Sequence, residues 1–271
     1  MVHGDDLEDD FVLDETVDVS AAEEYALEEE EENSNKRTAD DKEDDEERPL
    51  SKRQKKLQKR GKLSQKKKEL VEYETTKKKS IPKSTPEEIA DYFASLIRDK
   101  NPDLSAIELQ DMYLKKSDFL STEKYDETRN LNNFPAFMTQ FSRAPRAIVF
   151  SMSNIRVADV FRSLEGSKQC VKLFAKNKLK DDVKSVEEVL SGSNKKMSKI
   201  KYFVSTPTRM EKILETTEAL FQGKEKLDII LDASYLDPKN NSLISFENTL
   251  ILCKVLKTIM EKKSSVKILL Y

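Results

Sequence analysis

Residues 201–232 read KYFVSTPTRMEKILETTEALFQGKEKLDIILD, and this stretch decides the fold. Lys201-Tyr-Phe-Val-Ser205 is a short β-branched and aromatic run, and Leu227-Asp-Ile-Ile-Leu231 is almost wholly apolar, as a strand covered on both faces must be. Between them Met210, Ile213, Leu214, Thr217, Leu220 and Phe221 recur at helical spacing and make one apolar face. Two starts for this helix are open. Thr206 can cap it with Pro207 in the first position, or Thr208 and Glu211 can form a capping box. Either way the stretch is a βαβ unit with two buried parallel strands.

The same alternation extends outward in both directions. Ala147-Ile-Val-Phe150 reads as a strand, followed by a helix through Val157, Ala158, Val160, Phe161 and Leu164 that ends near Gly166. Cys170-Val-Lys-Leu-Phe174 is the next strand, and Val183, Val186, Val189 and Leu190 mark the next helix. After the βαβ unit, Leu250, Leu252, Val255, Leu256, Ile259 and Met260 carry a last helix into Val266-Lys-Ile-Leu-Leu-Tyr271. Five strands alternating with helices predict a doubly wound parallel α/β sheet. Upstream, Thr85-Pro-Glu-Glu88 supplies a cap, a first-turn proline and a reciprocal glutamate, and Ser105 with Glu108 supplies a second capping box. Residues 115–145 are less regular and are expected to wrap over the edge of the domain. Phe134, Phe137 and Phe141 are spaced as a helix face for the core, although aromatic side chains can also stack on bases.

Composition divides the chain in three. Of 271 residues, 37% are hydrophobic and 37% charged, too polar a balance for one fully packed chain. Residues 1–50 hold about 22 acidic and 4 basic residues, residues 51–83 about 3 and 14, and residues 84–271 about 26 and 30. The net charge of -3 therefore hides segments near -18, +11 and +4. The first segment carries too little apolar surface to offset the entropy of ordering and is expected to be a disordered acidic tail. The second is a basic arm of helix-forming residues with no apolar stripe, expected to become helical on binding. Its Lys52, Arg53, Lys55, Lys56, Lys59, Arg60, Lys66, Lys67 and Lys68 form the kind of cluster that serves as a nuclear localisation signal or neutralises nucleic-acid phosphates. The third is the sheet domain, with order expected from Thr85.

Several function classes are excluded on residue counts. Cys170 and Cys253 stand alone and His3 is the single histidine, which argues against disulfide frameworks and zinc clusters. No apolar run has signal or membrane-spanning length, so a soluble, intracellular protein with no membrane partner is expected. The only Gly-Lys pairs, Gly61-Lys62 and Gly223-Lys224, continue with leucine and glutamate, so no Gly-x-x-x-x-Gly-Lys-Ser/Thr phosphate loop is present. No cofactor is expected.

Arg146-Ala-Ile-Val-Phe150, Thr206-Pro-Thr-Arg209 and Ile230-Leu-Asp-Ala-Ser234, in this order, resemble the first RecA-like domain of DEAD-box RNA helicases. By that resemblance Thr206, Pro207, Thr208 and Arg209 stand at the Thr-Pro-Gly-Arg element that holds the RNA backbone, with Thr208 in place of glycine. Ser153 and Asn154 fall in the Pro-Thr-Arg-Glu element, and a shift of one or two residues brings in Arg156 instead of Asn154. Asp232 takes the position of the metal-associated aspartate, but Ala233 replaces the glutamate that acts as general base, and hydrolysis needs that base. Read without the resemblance, Asp232 is a strand-end cap. The sequence ends at Tyr271, where the strand before the family's Ser-Ala-Thr element is expected, so a second RecA-like domain is not.

A closer resemblance is to the U3-containing 90S pre-ribosomal complex subunit family, itself DEAD-box-like and degenerate. It rests on Lys172-Leu-Phe-Ala-Lys176, the charged helix of residues 180–190, Val204-Ser-Thr-Pro-Thr-Arg209 and Leu231-Asp232, and covers the chain from about Glu88 onward. It implies a truncated RecA-like domain in a nuclear, nucleolar protein that meets pre-ribosomal RNA, U3 ribonucleoprotein components and small-subunit assembly proteins. The function so implied is non-catalytic binding of RNA or ribonucleoprotein during small-subunit assembly. Two other classes compete: a remnant of an RNA-dependent ATPase or helicase, and an acidic adaptor or chaperone for basic proteins.

Overall fold

The computed structural model describes residues 52–192, 197–245 and 249–271, with side chains from Arg60 onward. The chain divides into two units, Met1–Leu57 and Gln58–Tyr271. The acidic tail expected over residues 1–50 lies outside the described residues.

The basic arm is helical over most of its length. Helix α1 runs Lys52–Ser80, about 43 Å at helical rise. Lysine, glutamine and glutamate favour helix intrinsically, and Lys77, Lys78 and Lys79 in the last turn complement the dipole. Gly61 is its only interior breaker, and Pro82 in the following 3-10 turn ends it. Leu63, Leu70 and Tyr73 are exposed, so no apolar seam holds the helix. Its end is anchored instead: Lys78 Nζ donates to the Asn240 carbonyl at 2.9 Å, and Ile81 and Pro82 are buried. Ordered structure thus begins well before Thr85.

Helices α2 (Pro86–Lys100) and α3 (Ala106–Met112) start at the two expected capping boxes, Thr85 with Glu88 and Ser105 with Glu108. Helix α4 (Phe134–Phe141) precedes strand β1 (Arg146–Phe150). There follow α5 (Asn154–Ser163), β2 (Cys170–Leu173), α6 (Leu179–Ser191), β3 (Tyr202–Ser205), α7 (Pro207–Thr216), β4 (Leu227–Leu231), α8 (Thr249–Lys262) and β5 (Val266–Leu270). Of the two starts for α7, the structure takes Thr206 as the flanking residue with Pro207 first; the helix stops at Thr216, and Leu220 sits in a 3-10 turn.

All strand pairs are parallel, in the order β2-β3-β1-β4-β5. The chain leaves β1 toward β2 in one direction, then steps through β3, β4 and β5 in the other. Right-handed crossovers therefore put α5 on one face and α6, α7 and α8 on the opposite face. The strands show this residue by residue. Ile148, Phe150, Ile229, Leu231, Ile268 and Leu270 join the core under α6, α7 and α8. Ala147, Val149, Ile230 and Leu269 join the core under α4 and α5.

The expected wrap of residues 115–145 closes the β5 edge. Phe119 forms a parallel bridge with Ile268, and the Leu120 amide donates to the Ile268 carbonyl at 2.8 Å. Phe134 and Phe137 are fully buried around Tyr271, with ring centroids 4.3 and 4.7 Å away. Their helical spacing therefore marks core, and neither ring is available to a base. The Tyr271 hydroxyl donates to the Asn130 carbonyl at 2.6 Å and accepts from the Asn130 amide at 2.9 Å. Tyr271→Phe removes both bonds and is expected to cost about 1–3 kcal/mol, seen as a lower urea midpoint at unchanged slope; an unchanged midpoint would refute this account of the edge.

Candidate functional site

In open α/β sheets, ligands bind beyond the carboxyl ends of the strands, where connections leave in opposite directions. Here that place is the end of β1, flanked by β3 and β4, and the sequence-predicted residues collect around it. Ser153 follows β1 and caps α5, its Oγ accepting from the Arg156 amide at 3.3 Å. Asn154 opens α5, Thr206 and Pro207 open α7 after β3, and Asp232 follows β4.

The crevice is filled by the protein's own side chains. Arg156 Nε donates to Asp232 Oδ2 at 2.6 Å and Nη2 donates to Oδ1 at 3.0 Å. Both side chains are buried, 8% and 0% exposed. The guanidinium also lies 4.2 Å from the centroid of the Tyr235 ring, and Ser151 Oγ is 3.5 Å from Asp232 Oδ2. Burial pulls the Arg156 pKa down, but the hydrogen bonds and charge of Asp232 outweigh it and leave it raised. Asp232 is thus neither a simple strand-end cap nor an open metal ligand; it is the counter-ion of an arginine 76 residues earlier.

The second arginine is engaged in the same way. Arg209 Nε donates to Asp182 Oδ2 at 2.8 Å and Nη2 to the Asn177 carbonyl at 2.7 Å. Asn177 Nδ2 in turn donates to Asp182 Oδ1 at 2.7 Å. Asp182 is in the first turn of α6, so this pair ties α7 to the β2–α6 turn. The folded register places Arg156 and Arg209 each beside a buried carboxylate, and each spends its Nε and Nη2 on that side of the crevice. Thr206 is buried and its hydroxyl sits 3.3 Å from that of Thr208, so it caps no amide, while Pro207 is also buried. What this edge still offers is the start of α5, where Ile155 is exposed and Ser153 and Asn154 are half-buried, and the half-buried Thr208.

Next to this crevice, the edge beyond β5 is closed too. Arg129 Nη1 donates to the Leu270 carbonyl at 2.6 Å and Nη2 to the Thr122 carbonyl at 2.9 Å. Burial brings the Arg129 pKa down to about 10. Thr122 Oγ1 donates to the carbonyls of Leu270 and Pro82 at 3.1 and 3.0 Å. At the amino ends of the strands a cleft of about 500 Å³ is lined by Arg146, Leu190, Leu220 and Lys263. Of its cations, Arg146 is bonded to Glu225 and the Val189 carbonyl and Lys263 to the Gln222 carbonyl, while Lys226 is exposed. Among the described residues no group of three His, Cys, Asp or Glu side chains can hold a metal, and no helix is long and apolar enough to cross a membrane. Burial pushes both cysteine thiols up to about 12.

Asp182, Asn177, Tyr235 and Arg129 were not singled out from sequence. Asp182 left one signal, an acid in the first turn of α6; the others depend on contacts across strands. The basic-arm residues Arg60, Lys66, Lys67 and Lys68 are all exposed on α1, which also carries Lys52, Arg53, Lys55, Lys56 and Lys59.

Fold and site define a doubly wound parallel α/β domain whose strand-end crevice is closed by a buried arginine–carboxylate pair. The chain belongs to the family described as U3-containing 90S pre-ribosomal complex subunit, whose model matches residues 30–271. It is 64% identical over 203 residues to Protein CMS1 of Saccharomyces cerevisiae, covering 74% of this chain and 70% of that protein. Protein CMS1 of Chaetomium thermophilum is 24% identical over 187 residues, 62% of this chain and 70% of that protein. Protein cms1 of Schizosaccharomyces pombe is 25% identical over 175 residues, 59% of each. No solved structure matches the chain.

Removing one partner of a buried ion pair strands the other. Asp232→Ala is expected to destabilise by about 3–5 kcal/mol, whereas the apolar pair Arg156→Met with Asp232→Leu recovers most of that loss. Urea denaturation of the three proteins checks this; a mild Asp232→Ala would mean that the pair does not hold the crevice shut. Arg209→Glu places an acid against Asp182 and is expected to lower the melting temperature.

Proposed function

We propose that this protein is a non-catalytic assembly factor that binds RNA and ribonucleoprotein in small-subunit biogenesis, within the U3-containing 90S pre-ribosome in the nucleolus. The observation that carries the reading is the Arg156–Asp232 pair: it occupies the place where a doubly wound sheet receives its ligand, and Ala233 stands where a hydrolytic enzyme of the resembling class has its base. The mechanism is docking. The family description and the relatives' names support the pre-ribosomal setting, and pre-ribosomal RNA, U3 components and neighbouring small-subunit proteins are the partners.

Affinity comes from the basic arm. A long exposed helix with cations on several sides neutralises phosphates without reading base sequence, and the same cluster directs nuclear import. In this reading residues 1–50, 51–83 and 84–271 are acidic tail, phosphate-binding arm and docking scaffold.

Reversal of Lys55, Lys56, Lys59 and Arg60 to glutamate is expected to flatten the salt dependence of RNA binding by about 3 in the log–log slope, read by fluorescence anisotropy on a single-stranded RNA. An unchanged slope would remove the arm from the reading. ATP with magnesium is expected to leave the melting temperature unmoved, because a ligand stabilises only what it binds; a saturable rise would restore the ATPase-remnant alternative.

A further inference from the structure

The cleft at the amino ends of the strands lies at the opposite end of the sheet from the Arg156–Asp232 crevice. Arg146 opens β1 and Leu227 opens β4, residues 217–222 follow α7, and Lys263 follows α8, so separate connections of the domain meet there. Its floor is apolar: Leu220 and Leu227 are buried and Leu190 is half-buried. A volume of about 500 Å³ is that of a ligand pocket.

Lys263 lines this cleft and is 8% exposed. Its Nζ donates to the Gln222 carbonyl at 3.2 Å and to the Gly223 carbonyl at 3.5 Å. Gly223 has a φ of 76°, a left-handed conformation open to glycine, and so turns the chain while both carbonyls reach one ammonium. An ammonium has three N–H donors. Among the described residues the third meets no acceptor, and no carboxylate pairs with Lys263. A buried charge held only by neutral carbonyls lacks its counter-ion, and an anion entering the cleft supplies one.

The rim decides which kind of anion fits. Lys226 adds an exposed cation, but Glu187, Glu218 and Glu225 also line the cleft and are exposed. A nucleic-acid strand carries a charge at every phosphate and is repelled by these carboxylates. A peptide brings a single carboxylate, apolar side chains and backbone N–H donors, which match Lys263, the leucine floor and the glutamate rim in turn.

We infer that this cleft is a docking site for a protein partner, and that it takes a short segment in which an aspartate or glutamate stands beside a large apolar residue. The acid meets Lys263 and Lys226, and the apolar side chain rests on Leu190, Leu220 and Leu227. This rests on the docking reading above and names the surface by which the folded domain holds a neighbouring protein.

The test pans a phage library of random dodecapeptides on the full chain and measures the selected peptides by fluorescence anisotropy. They are expected to share an acid beside an apolar residue and to bind the wild type and the arm-reversal variant equally. Lys263→Met is expected to weaken them about tenfold or more, the loss of a hydrogen bond from a charged group. Ala219→Trp fills the cleft, leaves every charge in place and is expected to abolish binding. Because Lys226 is exposed, Lys226→Glu is expected to keep the wild-type melting temperature and weaken binding about threefold. Selected peptides that ignore all three substitutions, or that lose affinity only in the arm-reversal variant, would overturn this inference and leave the RNA-binding reading standing. A library that yields no binder would overturn it too. Single-stranded RNA that loses affinity in Ala219→Trp, with peptide binding intact, would assign the cleft to nucleic acid and overturn it. Peptide binding at the cleft by a wild type that binds no RNA would support the inference and overturn the RNA-binding reading.

Discussion

A guanidinium and a carboxylate cannot be buried singly at the end of a parallel sheet, and the pairing of Arg156 with Asp232 governs what this domain can be. The two residues approach because β1 and β4 are neighbours in register, Phe150 beside Leu231, so the helix after one strand overhangs the loop after the other. Two hydrogen bonds at 2.6 and 3.0 Å and the Tyr235 ring satisfy the cation. The cost of desolvating both charges is met only with this geometry intact, so the crevice is held shut by the same contact that makes burial tolerable.

The same device recurs at Arg209 and Asp182, with a different consequence. The first pair fills a crevice; the second braces a turn. Helix α7 and the first turn of α6 are joined through Asn177, whose neighbours Lys176 and Lys178 remain exposed. The exposed lysines lie on the outer flank beside the edge strand β2.

Beyond β5, Arg129, Thr122 and Tyr271 bond to backbone carbonyls and close that edge. An exposed strand edge invites pairing with another chain, and covering it with a wrapped segment removes that hazard. The sheet is left with one open flank, at β2, next to the lysine turn.

Local and periodic features were legible without coordinates. The alternation of strand and helix, the capping boxes at Thr85 and Ser105, the core-facing phenylalanines and the missing phosphate loop all depend on residues within a few positions of each other. Helix α1 has no apolar stripe to announce it; its helix-forming residues and anchored end give it its form. The identity of the free cations was decided only by the tertiary structure. Arg156 meets Asp232 and Arg209 meets Asp182 across 76 and 27 positions of chain, and such partners follow from strand order and register, which no local pattern contains. Spacing alone set where the arginines sit along the chain; the packing of the sheet set that they face inward while Lys176, Lys178 and Lys180 face the solvent, because only paired charges can bear desolvation.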